Sequence, residues 1–238
     1  MTVLARALTL ALCIFCSAAE PRTRSASRRG VSGAKTITIA YLLDGNDFKN
    51  EDASPDSEVG KWLKKVQEKA EIKLQQATRV TIKFNTTDRN VTNPELTKNL
   101  LSWTSMGSCG SESLMNAGMV LAEIKVESTT LSARPHIICV LTKQRLYQGD
   151  LINLMGLALH KSLCITMVPM ILTYDQSSDN IENTGNLMSE LVVNSTARSS
   201  SETWDEYFNI CNKNKLFTTQ YFRPLVRSSK SQRHFKRS

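Results

Sequence analysis

Of 238 residues only three are histidine, ten glycine and six proline, and aromatic side chains make up 6%. So little Gly and Pro excludes a collagen-like or low-complexity chain. Six cysteines are too few for a disulfide-dense miniature scaffold. No segment reaches eighteen uninterrupted apolar residues, which excludes a protein crossing a membrane many times. What is present is ordinary globular material, 41% apolar and 22% charged, with enough length for one domain to bury its own core.

The chain opens with Arg6, an apolar run from Ala7 to Cys16 and the small residues Ser17, Ala18 and Ala19. This pattern reads as a secretory signal peptide over residues 1–19, and predicts a secreted, extracellular protein. Removal of the leader takes away Cys13 and Cys16 and leaves Cys109, Cys139, Cys164 and Cys211. An even number in an oxidising compartment predicts two disulfides, and four cysteines permit three connectivities. Asn85 (NTT), Asn90 (NVT) and Asn194 (NST) head glycosylation sequons, in keeping with an exported glycoprotein.

Charge is uneven. The formal net charge is +8, yet residues 20–35 hold five basic and one acidic side chain, and residues 221–238 hold six basic and none acidic. The body between them carries 18 basic and 21 acidic residues, so the basicity belongs to the ends. The segment 221–238 reads as a disordered, solvated tail, or as one that attracts a glycosaminoglycan or other polyanion. Nucleic acid is not indicated for an exported chain with a slightly acidic body and no zinc-knuckle or aromatic basic motif.

Strands and helices alternate along the body. TITIAYLL from Thr36 is β-branched and apolar and ends at DGND, a buried strand. Val59, Trp62, Leu63, Val66, Ala70, Leu74 and Ala77 recur at three and four, one face of a long helix. Val80–Phe84 alternates as a second strand, with NTTDRN as a turn after it. Pro94–Trp103 reads as a short helix, Cys109 as part of a loop, and Leu114–Val126 as a helix. HIICVL at His136–Leu141 is an apolar strand, and His136 reads as a strand-end histidine. Gln148–Asp150 opens a loop. The run from Cys164 to Tyr174 reads as a strand that Pro169 confines to an edge or a bulge. A polar loop leads to a short helix over Asn186–Val193, and Trp204–Phe217 is a terminal helix.

This order resembles the metzincins, specifically a reprolysin-like (ADAM-like) metalloprotease catalytic domain. TITIAYLLD is similar to that family's first strand, WLKKVQEKAEIKLQQATRVTIKF to the helix leading into its second, and HIICVLT followed by GLALHKSLC to a later strand, a Gly-Leu-Ala segment and a cysteine. FNICNKNKL resembles the segment near the domain's end. The resemblance covers about Thr36 to Phe217. It implies an α/β (α+β) single domain over 36–220, a metzincin-like mixed sheet with packed helices and a truncated C-terminal subdomain. It also implies a Cys164–Cys211 disulfide, which leaves Cys109 with Cys139.

The same family places His-Glu-x-x-His-x-x-Gly-x-x-His where this chain has MSELVVNSTARSS. Two imidazoles one helical turn apart and a third beyond a Gly turn hold zinc, and the Glu activates its water. Here the ligand positions become Ser189, Val193 and Ser199, the Gly position Thr196, and only Glu190 remains. Neither a hydroxyl nor an isopropyl group replaces an imidazole, so no cofactor is predicted. Without zinc Glu190 reads as an ordinary helix residue. His136, His160 and His234 lack helix-face spacing, and no Gly-x-Ser-x-Gly elbow supports a serine triad.

A secreted glycoprotein of this kind also resembles the 28 kDa salivary family of metastriate ticks. That implies release into a host and a noncatalytic binder, a pseudoenzyme engaging a host protein or cell-surface ligand. An active zinc metallopeptidase and a secreted small-ligand carrier such as a β-barrel are the alternatives.

Overall fold

The structure, a computed structural model, describes residues 33–106, 113–128 and 134–213, and the folded unit begins at Gly33. The expected signal peptide over residues 1–19, Cys109, His234 and the segment 221–238 lie outside the described residues. No helix among those described is long and apolar enough to cross a membrane.

Strand β1 (Lys35–Leu43) is the centre of the molecule. Ile37, Ile39, Tyr41 and Leu43 bury themselves in one core, while Leu42 packs against a second, the period-2 alternation of a strand covered on both faces. Helix α1 (Glu58–Thr78) starts where the Ser57 hydroxyl accepts from the Gly60 amide at 2.9 Å. It stops at Arg79, whose φ of 61° is left-handed, and its stripe of Val59, Trp62, Leu63, Val66, Ala70 and Leu74 lies buried in the first core.

Strand β2 (Ile82–Val91) runs parallel to β1. The expected NTTDRN turn is therefore strand. Its polar residues are tolerated because β2 is the edge of the sheet, where one face and one side meet water. Asn93 caps helix α2 (Pro94–Ser102) by accepting from the Leu96 amide at 2.8 Å, with Pro94 in the first turn where its missing N–H is not needed.

Strands β3 (Thr104–Met106) and β4 (Ser113–Asn116) form a small antiparallel pair. The helix expected from Leu114 begins only at Ala117, as α3 (Ala117–Ser128); Leu114 and Met115 are drawn into pairing with Arg145 and Leu146. Strand β5 (Ile137–Thr142) is buried throughout and lies parallel to β1. The loop expected at Gln148 is instead the turn of a hairpin. It joins β6 (Arg145–Gln148) to β7 (Leu151–Leu154), with Gly149 at φ 56° in the two-residue connection.

Strands β8 (Gly156–Ala158) and β9 (Val168–Thr173) finish the main sheet, whose order is β2-β1-β5-β9-β8 with β8 alone antiparallel to its neighbour. The second sheet runs β3-β4-β6-β7. The fold is mixed α/β with open sheets, which removes the barrel expected of a small-ligand carrier.

The strand expected from Cys164 starts four residues later, and Pro169 does not make it an edge, for β9 lies between β5 and β8. The reason lies in the ladder. The Val168 amide donates to His136 O at 2.9 Å, so Pro169 turns its nitrogen to the other side. There the Leu159 amide donates to Pro169 O at 3.3 Å, just beyond the last β8 pair. The missing donor costs nothing where the ladder stops.

Helix α4 (Ser178–Asn194) begins eight residues before the expected helix. Its first half is polar yet belongs to a helix crossing α1 closely: a Cβ at Gly185 would stand 2.5 Å from Lys69 Cβ and 3.2 Å from Val66 O. Lys69 and Glu182 pair across the crossing at 2.6 Å. Helix α5 (Trp204–Lys213) docks on β1. Lys35, buried, reaches Asn209 Oδ1 at 2.6 Å and Asp205 Oδ1 at 3.2 Å, and the Thr36 amide donates to Asn212 Oδ1 at 3.0 Å. The Cys164–Cys211 disulfide ties the same helix to the segment before β9.

Candidate functional site

The five positions singled out by the zinc-motif alignment fall on the end of α4 and the loop beyond it. Ser189 is 8% exposed, and its hydroxyl donates to Asn186 O at 2.7 Å. Val193 packs half-buried against the first core. Thr196 is buried and donates to Val193 O at 2.7 Å. Ser199 is exposed beyond the helix end, and Glu190 faces solvent. Ser189 and Val193 thus share a helix face, but one hydroxyl is engaged by its own backbone and the other side chain is hydrocarbon. Among the described residues no three His, Cys, Asp or Glu side chains are grouped to hold a metal ion.

His136 stands immediately before β5, where its Nδ1 accepts from the Thr38 amide at 2.9 Å while its own amide donates to Thr38 Oγ1 at 3.0 Å. Burial pushes its pKa down to about 4, so the ring is a neutral structural bridge between β1 and β5. His160 is exposed with φ 76°. Cys139, expected to pair with Cys109, is instead a free thiol buried in β5. The strand is covered on both faces, and burial holds the thiol pKa far above its ordinary value. Asn85, Asn90 and Asn194 are all exposed.

The strand edges are more informative. In an antiparallel ladder alternate residues turn both backbone groups to the partner. Leu157 pairs with Ile171, flanked by bonds from the Leu159 amide to Pro169 O and from the Thr173 amide to Met155 O. Gly156 and Ala158 therefore direct their N–H and C=O groups away from β9, along the last edge of the sheet. Strand β7 is the end of the smaller sheet, and Leu151 and Ile152 on it are 63% and 60% exposed. Its twist comes from a bulge at Asn153, φ 57°, where the register with β6 shifts.

A third feature has no counterpart in the sequence reading. At the carboxyl ends of the parallel strands, where open α/β sheets form ligand crevices, lies an open groove of about 520 Å³ lined by Asp52, Glu58, Lys143, Tyr174, Asp175 and Gln176. Tyr174 packs edge-on against Phe48 and Trp62, and the Lys143 ammonium sits 4.9 Å from the Phe48 ring centre.

Beside the groove two carboxylates share one hydroxyl: Thr142 Oγ1 is 2.9 Å from Asp47 Oδ2 and 3.2 Å from Asp44 Oδ2. Asp44 is wholly buried, and burial raises its pKa, opposed by the Asn46 amide and assisted by the Asp47 charge. One hydroxyl proton serves only one of these oxygens at a time. The signal was in DGND and the Leu-Thr ending of HIICVLT, two polar strand ends that read as turn residues until the parallel pairing of β1 and β5 brings them together.

No family profile matches the chain. No curated protein matches it either. Among solved structures the fold is similar to an archaemetzincin from Methanopyrus kandleri, with 11% identity over 79% of this chain and 98% of that one, at a TM-score of 0.39. No family follows from it.

Proposed function

We propose that this protein is a secreted glycoprotein of degenerate, reprolysin-like design that binds a polypeptide partner without cleaving it. The partner is a host protein, matrix component or cell-surface ligand, consistent with release into a host as the salivary resemblance implies. The observation that supports the reading is that β8, among the described residues, ends the main sheet and turns alternate backbone groups outward. Among the described residues the outward backbone groups of Ala158, half-buried where Gly156 is fully buried, offer a short template on which an extended segment can add as a further strand. Leu151 and Ile152 on the neighbouring β7 offer apolar contact for alternate side chains of that segment. The positions on α4 add support, since Ser189 and Val193 offer no imidazole to zinc. The basic segment 221–238 would add attraction to anionic glycans.

Zinc content and chelator-sensitive peptide cleavage of the secreted protein are the first test. Metal-free, inactive, folded protein is expected; zinc near one per chain with chelator-sensitive cleavage would overturn the reading in favour of a metallopeptidase. The edge is tested with matrix and plasma proteins immobilised on a sensor. Ala158→Pro, which removes an outward amide while leaving the β9 ladder intact, is expected to weaken binding tenfold or more at unchanged circular dichroism.

A further inference from the structure

The edge opposite β8 is β2, and it carries two of the three sequons. Asn85 and Asn90 are both exposed and five residues apart. In a regular strand an odd spacing puts two side chains on opposite faces. Here it does not, because the register with β1 jumps: Ile39 lies opposite Thr86 and Ala40 opposite Asp88. Thr87 is the extra residue of a bulge, and its hydroxyl donates to Ile39 O at 3.3 Å. Asn85 then lies opposite Thr38 and Asn90 opposite Leu42. Paired residues of neighbouring strands project to the same face, and Thr38 and Leu42, four apart, share one. That face is the one on which Leu42 meets the second core. The same Thr87 that completes the first sequon thus aligns it with the second, at about 13 Å by the strand rise over the four paired residues of β1.

We propose that N-linked glycans on Asn85 and Asn90 rise side by side from one face of β2 and close that edge of the sheet, leaving β8 as the edge for strand addition. The proposal rests on the secreted reading above. In the transfer the Asn amide nitrogen bonds the anomeric carbon of an oligosaccharide carried on a lipid diphosphate, gives up one proton, and the lipid diphosphate leaves. Asn90 keeps one N–H, enough to preserve its 2.8 Å bond to Asp88 Oδ2. Thr92 of the second sequon is buried, accepting from the Gly45 amide at 2.9 Å, so transfer precedes folding of this strand.

The other flank of the edge already has a cover of protein. Glu71 from α1 reaches across, accepting from the Phe84 amide at 2.8 Å and pairing with Lys83 at 2.6 Å. One carboxylate and two glycans would leave little of β2 free, the same end that exposed edge strands reach with charge and bulges. Strand β8, Gly-Leu-Ala, holds no sequon and no charge.

Protein secreted from eukaryotic cells and treated in the folded state with peptide-N-glycosidase acquires Asp at each occupied Asn, read by peptide mass spectrometry. Conversion of both Asn85 and Asn90 is expected. Sedimentation velocity should then show the deglycosylated protein shifting from monomer to concentration-dependent oligomers. Asn85→Gln/Asn90→Gln should do the same, and Asn194→Gln, at the end of a helix, should stay monomeric. Enzymatic removal decides the matter if the double variant is not secreted. An unconverted Asn85 or Asn90, or a deglycosylated protein that stays monomeric, overturns the proposal. Conversion of Asn194 alone would sink it while secretion stands; retention of residues 1–19 with no site converted would sink the secreted reading itself.

Discussion

The two faces of the main sheet are finished differently. On one, α1, α4 and α5 enclose a core with Trp62, Tyr41, Tyr207 and Phe208 fully buried or nearly so, tied by a disulfide. On the other, α2, α3 and the smaller sheet cover an aliphatic core led by Leu96, Leu100, Val120, Leu121 and Ile124. On that second side Leu101, Met119, Val126, Leu151 and Ile152 remain exposed. Aromatic burial and the crosslink are concentrated on the first face, and most of the exposed large aliphatic side chains lie on the second.

The largest effects should come from opening the closed face. Phe208→Ala is expected to cost about 3–5 kcal/mol, because a fully buried aromatic beside Tyr207 and Trp204 leaves a cavity its neighbours cannot fill. Leu100→Ala should cost about 2–3 kcal/mol, since thinner cover relaxes into the space. Urea midpoints measure both, and the reverse order would break the contrast.

Next comes the crosslink. Cys211→Ser removes a bond spanning 47 residues and should lower stability by about 3–4 kcal/mol. Nonreducing and reducing denaturation of the native protein should differ by the same amount. Equal midpoints would mean that the closed face does not depend on its tie.

The smallest shift is with pH, at the strand ends between the two faces. His136 titrates near 4 when folded and near 6.5 when unfolded. Below pH 6.5 the unfolded chain takes up a proton that the native ring refuses, so stability is full above that pH and is lost as pH falls towards 4. The loss between pH 7 and pH 4.5 should be about 2–3 kcal/mol. Thermal midpoints across that range check it, and a His136→Gln profile as steep as the native one would assign the loss to other groups.

The long periodic elements were legible in the sequence: β1, α1, α2 and β5 stand where apolar spacing put them. What escaped was tertiary. NTTDRN has the composition of a turn but sits on a sheet edge that tolerates polarity. The first half of α4 reads as loop until Gly185 is seen against α1. Pro169 argues for an edge only if its nitrogen needs a partner, and β8 ends before it does. Cys139 showed its apolar strand plainly, but the expectation of a second disulfide outweighed that burial. The Asp44–Thr142–Asp47 group could not be read at all, because residues 98 positions apart meet only through strand pairing.

The contact of Lys35 with Asn209 and Asp205 joins the first described strand to the last helix among the described residues. In synthesis the first strand therefore waits for almost the whole domain to emerge before its ammonium is neutralised, and a nascent chain stopped before Trp204 would carry that charge uncovered beside β1. The same proximity makes the topology nearly circular. Residues 35 and 209 could be bridged by a short linker and new ends opened at Gly149–Asp150, a surface turn where the chain already reverses. Such a permutant would reach the same fold in a different order of emergence.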